Sequence, residues 1–176
     1  MVSPFLRQPL IITYLKMKFS ISKEAFLDAL QQVQHVVSNR ATLPILSNVL
    51  IEAADGKLKL TTTDLDVGVS GSVDATIDKE GSTTLPVKRL VSIIRELPAS
   101  EVEVSVDGKN HASIKCGPSF FKIIGLGEDE FPPLPKFEES TEFKIGQGVL
   151  HDAIKKTSYA ISTDETRYVL NGIYVS

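Results

Sequence analysis

The chain has 176 residues, 42% of them hydrophobic and 23% charged, which leaves room for one good core and part of a second. Its formal charge of −3 gives no general reason to expect a nucleic-acid partner, although a basic face can hide inside a net sum. The single cysteine, Cys116, excludes an internal disulfide framework and fits a reducing, cytoplasmic setting, and no apolar run approaches the ~20 residues of a membrane span.

Residues 1–16, "MVSPFLRQPLIITYLK", stand apart from the rest of the chain. Arg7 precedes a short apolar run, as in a secretory signal, but the run is interrupted at Thr13 and lacks a small-x-small cleavage site. The expectation is a poorly anchored extension upstream of a true start at Met17. From there "KFSIS" alternates as a strand. Ser22 can cap a helix over 23–38, where Phe26, Leu30, Val33 and Val37 make one apolar stripe. "ILSNVLIEA", "KLKLTTT" and "DVGVSGSV" read as strands, the first two joined at Asp55-Gly56. A second unit begins at "STTLP". Pro86 opens a helix whose buried stripe is Val87, Leu90, Val91, Ile94 and Leu97, and Pro98 ends it. "EVEVSV", "HASIKC" and "SFFKIIGL" complete the unit, with turns at Asp107-Gly108 and Gly117-Pro118. Residues 17–127 are therefore βαβββ written twice, which predicts an α+β domain of antiparallel sheets with two helices on one side.

The proline-rich, acidic stretch around 128–141 reads as a linker. Beyond it a longer repeat begins. Phe19, Ile21, Asp28, Ala29 and Ser38 match Phe143, Ile145, Asp152, Ala153 and Ser162 with no gap, at an offset of 143 − 19 = 124 residues. The same offset lays "LNGIYVS" from Leu170 under "LSNVLIE" from Leu46. Residues 142–176 are then expected to be the first strand, helix and second strand of another domain, cut short, with the apolar faces of Leu150, Ile154, Leu170 and Ile173 partly wet.

Catalytic constellations are missing. His35, His111 and His151 fit no zinc spacing, and "GLGEDE" sets acid where a phosphate would sit. Asp64 and Asp66 could hold a metal or act as an acid–base pair, although two such carboxylates at a strand start more often mark a solvated turn. Cys116 and His111 lie five residues apart on one strand, hence on opposite faces. Charge says more. Lys88, Arg89, Ser92 and Arg95 lie opposite the apolar stripe of the second helix, and Lys155 and Lys156 are outward on the repeat's helix. Arg40 follows the first helix, and Arg167 and Tyr168 follow the repeat's helix. By themselves these residues read first as solvated faces; a sequence-blind set of phosphate contacts is the other reading.

Several of these stretches, in order, are similar to a known family: "MKFSIS" at Met17, "ATLPILSNVLI" at 41–51, "LTTTDLD" at 60–66, "LPVKRLVSIIRELP" at 85–98, "FP" at 131–132 and "RYVLNG" at 167–172. The chain resembles, from Met17 to Ser176, the N-terminal part of the bacterial sliding clamp, the beta subunit of DNA polymerase III. The resemblance implies a non-enzymatic ring without cofactor. Two protomers, each of three domains built from βαβββ pairs, join head to tail with helices lining the DNA side and antiparallel sheets outside. Such a ring tethers the replicative polymerase to duplex DNA; its implied partners are DNA, a second protomer, the polymerase alpha subunit and the clamp loader, with no membrane. Carried over by position, Arg40, Lys88, Arg89, Arg95, Arg167 and Tyr168 would approach DNA. Val169 replaces an aromatic of many relatives, and Asp164 stands where a relative can carry an amide. Leu170 would line a partner-peptide pocket. Phe121 and Ile123, with Lys115 and Lys122, would serve the protomer interface on the "SFFKIIGL" edge. The alternative is a free-standing α+β binding module without a DNA role.

Overall fold

A computed structural model describes residues 15–37, 43–134 and 144–175, the side chains of Glu165 and Tyr168 excepted. Arg40 lies outside the described residues. The chain divides into two units, one ending at Leu134 and the other beginning at Pro135.

The first unit opens with strand β1, Leu15–Ser22, in which Met17, Phe19 and Ile21 point into the core while their neighbours stay at the surface. Ser22 then caps helix α1, Lys23–Gln34, by accepting the Ala25 N–H at 3.3 Å. Phe19 and Phe26 meet edge to face, with ring centroids 5.8 Å apart. Strands β2 (Asn48–Ala54), β3 (Lys57–Thr63) and β4 (Gly68–Asp74) form a meander after it. The β2–β3 turn takes Asp55 and Gly56 at positive φ (50° and 72°), the geometry that a two-residue hairpin requires. Strands β5 (Thr76–Lys79) and β6 (Gly81–Pro86) precede helix α2, Val87–Glu96. Strands β7 (Glu101–Asp107), β8 (His111–Cys116) and β9 (Ser119–Ile124) complete the unit.

These strands do not form one sheet per repeat. They form a five-stranded sheet, β5-β1-β7-β8-β9, and a four-stranded sheet, β4-β3-β2-β6. Each meander thus borrows the opening strand of the other repeat: β1 pairs with β7, and β6 with β2. Two crossings reinforce the exchange. The run through β4 bends at Ala75 and continues as β5 against β1. The run through β9 reaches Leu126, which bridges Thr84 of β6. Gly125 permits that approach, because a Cβ there would overlap the Thr84 carbonyl.

Helices α1 and α2 pack beside each other against these sheets. Phe26, Leu30 and Val33 of α1 share one core with Leu90, Val91 and Ile94 of α2 and with the inward residues of both sheets. Each fully buried aliphatic or aromatic side chain contributes about 1.5–3 kcal/mol, so the helical stripes, more than local propensity, hold α1 and α2 in place. Polar groups in this interior are matched. Thr62 donates its hydroxyl to the Val33 carbonyl at 2.6 Å, and Asn48 donates to Thr84 at 3.0 Å. The Lys23 side chain donates to the Leu97 carbonyl and ties the start of α1 to the end of α2.

Several boundaries differ from the sequence reading. Helix α1 stops at Gln34 rather than residue 38, although Val37 is still buried. Leu15 and Lys16 belong to β1 rather than to an extension, because β7 offers Asp107 as a pairing partner to Leu15. The stretch expected as linker from 128 begins inside the unit: Glu128–Glu130 form a 3-10 turn, and Phe131 is buried beside Ile45 and Leu46. In the turn after β7 the residue at positive φ is Asn110 (60°), not Gly108, and Asp107 accepts the N–H groups of Lys109 and His111.

The second unit is sparser. Helix α3 spans Gln147–Thr157, with 3-10 turns after it at Ser158–Ala160 and Glu165–Leu170. The strand expected over 170–176 is not formed over 170–175, and Ser176 lies outside the described residues. Leu170 ends a 3-10 turn and residues 171–175 are irregular, because this unit holds no strand of its own among the described residues to take up their N–H and C=O groups.

Candidate functional site

Helix α2 sorts its own side chains. At about 100° per residue, Lys88, Ser92 and Arg95 fall within about 60° of one another, opposite the Leu90–Ile94 stripe. All three are exposed, and Ser92 returns its hydroxyl to the Lys88 carbonyl at 2.8 Å. Arg95 also sits in the last turn, where a cation is favoured by the helix dipole. Arg89 lies about 100° from Lys88 on the same geometry. It lines a cavity of about 600 Å³ together with Leu15, Asp107, His111, Lys122 and Ile124. So Arg89, grouped with Lys88 and Arg95 by the sequence reading, faces the β9 edge instead. The outward face of α1 carries Glu24, Asp28 and Gln32, with His35 at its C-cap, and adds no lysine or arginine.

The β9 edge has its own chemistry. Among the described residues strand β9 pairs with β8 alone, so its other side is an edge of the sheet. Phe120, Phe121 and Ile124 are exposed along it, and Lys122 lies over the Phe120 ring at 5.8 Å. Lys115 stands cross-strand from Phe120 and is exposed. Ile123 is 1% exposed and packs into this unit's core, which leaves it no surface for a partner. The apolar contacts on this edge therefore belong to Phe120 and Ile124 as well as Phe121. Period-two alternation could have shown this, since Phe121 and Ile123 share one face and Phe120 and Ile124 the other.

In the second unit, Lys155 and Lys156 occupy the last turn of α3, both exposed. Arg167 is exposed but paired, with its Nε 3.4 Å from Asp164 Oδ2. Asp164 is held below the usual carboxylate range by the Thr166 hydroxyl and then by the Thr166 N–H. Leu170 exposes its side chain while its carbonyl accepts the Ser162 N–H at 3.0 Å. The side chain of Tyr168 lies outside the described residues.

The rejected chemistries have structural explanations. Asp64 Oδ1 accepts the N–H groups of Asp66 (3.1 Å) and Val67 (2.7 Å), so that carboxylate caps the β3–β4 turn. No group of three metal-ligating side chains occurs among the described residues. Cys116 is buried with its Sγ toward the Pro98 carbonyl, on the opposite face of β8 from His111.

A family model of the N-terminal domain of the DNA polymerase III beta subunit matches residues 17–135. The chain belongs to the DNA polymerase III beta subunit family. Among similar relatives, the beta sliding clamp of Chlamydia muridarum is 36% identical over 160 residues, covering 91% of this chain and 44% of that protein. The beta sliding clamp of Caulobacter vibrioides is 40% identical over 161 residues, covering 90% and 43%. The crystal structure of the C. crescentus beta sliding clamp superposes with a TM-score of 0.87 at 38% identity, over 93% of this chain and 44% of that one. A Bartonella birtlesii sliding clamp bound to griselimycin gives 0.86 at 40% identity, over 90% and 42%. The fold is that of the sliding clamps, and the chain spans less than half the length of these relatives. No helix among the described residues is long and apolar enough to cross a membrane.

Proposed function

We propose that this chain is the front part of a ring that encircles duplex DNA and tethers the replicative polymerase for processive synthesis. Residues 15–127 supply the first domain's two βαβββ units, and 142–176 begin the second. The ring acts without catalysis: topological linkage retains it, so its contacts with DNA are weak, mobile and sequence-blind. The observation that carries the reading is the α2 strip of Lys88 and Arg95, exposed on a helix whose other face is the core, in a fold shared with sliding clamps. Arg40, Lys155, Lys156, Arg167 and Tyr168 add to the DNA side, with Arg167 weakened by its Asp164 partner. Arg89, Lys115, Phe120, Phe121, Lys122 and Ile124 serve the second protomer along β9. Leu170 contributes to a pocket for peptides of the polymerase alpha subunit and the clamp loader.

The test is the salt dependence of DNA affinity in the protein expressed from its complete locus. Each phosphate contact contributes about −0.9 to the slope of log K against log salt. K88A/R95A is expected to make the slope shallower by roughly two. An unchanged slope in K88A/R95A would return that strip to ordinary solvated surface.

A further inference from the structure

At one corner of the five-stranded sheet, Asp107 and His111 form a pair that DNA tethering does not use. Asp107 Oδ1 accepts the N–H groups of Lys109 (2.8 Å) and His111 (2.9 Å), and Oδ2 faces His111 Nδ1 at 3.1 Å. Those contacts, the His111 N–H first, hold the carboxyl below its ordinary range, so Asp107 is already ionised wherever an imidazole titrates. His111 is cross-strand from Ile124, which is 71% exposed on the β9 edge. The imidazole therefore sits beside the surface that the proposed ring would close against a second copy.

Its surroundings are basic. Arg89 reaches the same cavity from α2 and Lys122 from β9, and neither has a carboxylate partner among the described residues. Lys109 lies in the turn, and Lys115 lies further along β8. Lys16 of β1 bonds Asn110 Oδ1 at 3.2 Å and faces Glu128 at 3.8 Å. In the cavity, Arg89 and Lys122 against Asp107 sum to +1, and a protonated His111 makes +2. A basic edge on a chain of net charge −3 implies acidic surface elsewhere on a second copy.

We infer that protomer association through β9 is pH-dependent: protonation of His111 adds a positive charge at the edge and tightens the contact with an acidic surface of the second copy. This rests on the ring reading, and one experiment separates the two. The dimer Kd of the protein expressed from its complete locus is measured at about pH 6 and about pH 8, by exchange of fluorescently labelled protomers. Wild type is expected to associate roughly threefold to tenfold more tightly at the lower pH, the scale of one partly screened charge pair. H111Q keeps the backbone N–H that Asp107 accepts and should show the weaker value at both pH values. H111R should show the tighter value at both. An equal pH response in wild type and H111Q, or weaker wild-type association at low pH, overturns the inference while leaving the ring intact. Monomers at every pH overturn the ring reading and the inference with it.

Discussion

Helices α1 and α3 carry the same apolar spacing in sequence and opposite fates in structure. Phe26 and Leu30 of α1 are 0% exposed, whereas their counterparts in the 124-residue register, Leu150 and Ile154 of α3, are 36% and 45% exposed. The difference lies in cover. Helix α1 has two sheets and α2 around it, while the unit that holds α3 contains no strand among its described residues. An amphipathic pattern thus chooses which face a helix will bury, and the rest of the fold decides whether that face is buried. The strand segments make the same point: residues 46–52 give a turn and then β2 between β3 and β6, whereas Leu170 ends a turn and 171–175 stay irregular.

That contrast can be broken by mutation, beginning with the stripes. Leu30→Ala should destabilise the first unit by about 2–5 kcal/mol, and Ile154→Ala should change the stability of this chain by less than about 0.5 kcal/mol. Urea unfolding of both variants checks this, and comparable losses would mean that α3 is covered after all. Glycines sharpen the comparison. Gly125→Ala forces a Cβ into the Thr84 backbone and should cost about 1–3 kcal/mol. Gly148→Ala in α3 meets nothing within 4 Å and should instead favour its helix by about 0.5–1 kcal/mol. Thermal melts of the two variants should move in opposite directions. The helix starts differ as well: Ser22→Ala removes a side-chain cap from α1 at about 1 kcal/mol, while α3 begins at Gly146 with no such bond to lose.

The smallest effect is confined to acid. Asp107 has a lowered folded pKa, so its contribution is present above the unfolded carboxylate range and is lost as pH falls through the still lower folded value. The stability gap between wild type and Asp107→Asn should therefore narrow below about pH 4. A gap constant from neutral to strongly acid pH would contradict the hydrogen-bond account of that turn.

Much of the first unit was legible because its strands and helices each carry a clean period. Met17, Phe19 and Ile21 alternate, and Val87, Leu90, Val91 and Ile94 recur at helical spacing. Strand β5 was missed because Thr76–Lys79 is a four-residue continuation of β4 with no turn signal, only the bend at Ala75, where the run changes sheets. The exchange of β1 and β6 between repeats was equally hidden, since β1 pairs with β7 across more than 75 residues and β6 pairs with β2 across the whole intervening meander, and neither depends on local pattern. At the candidate site, the residue types on α2 were readable, but the cavity that Arg89 lines with Asp107 and Lys122 is built from strands distant in sequence and leaves no local signal. Ile123 was misplaced because an edge strand still turns one face to the core, and on β9 that face buries Ile123 while Phe121 stays exposed. The pairing of Asp107 with His111 was signalled only by an aspartate four residues before a histidine across a turn, a spacing too common to single out.

Tethering by topology is tested most directly on circular DNA. The protein from its complete locus is loaded on a nicked circle, which is then linearised, and the fraction retained is measured by gel filtration. A ring that holds DNA by encirclement stays on the circle and slides off the linear molecule. Equal retention before and after cutting would mean that Lys88, Arg95 and their neighbours grip DNA directly, and would contradict the clamp mechanism.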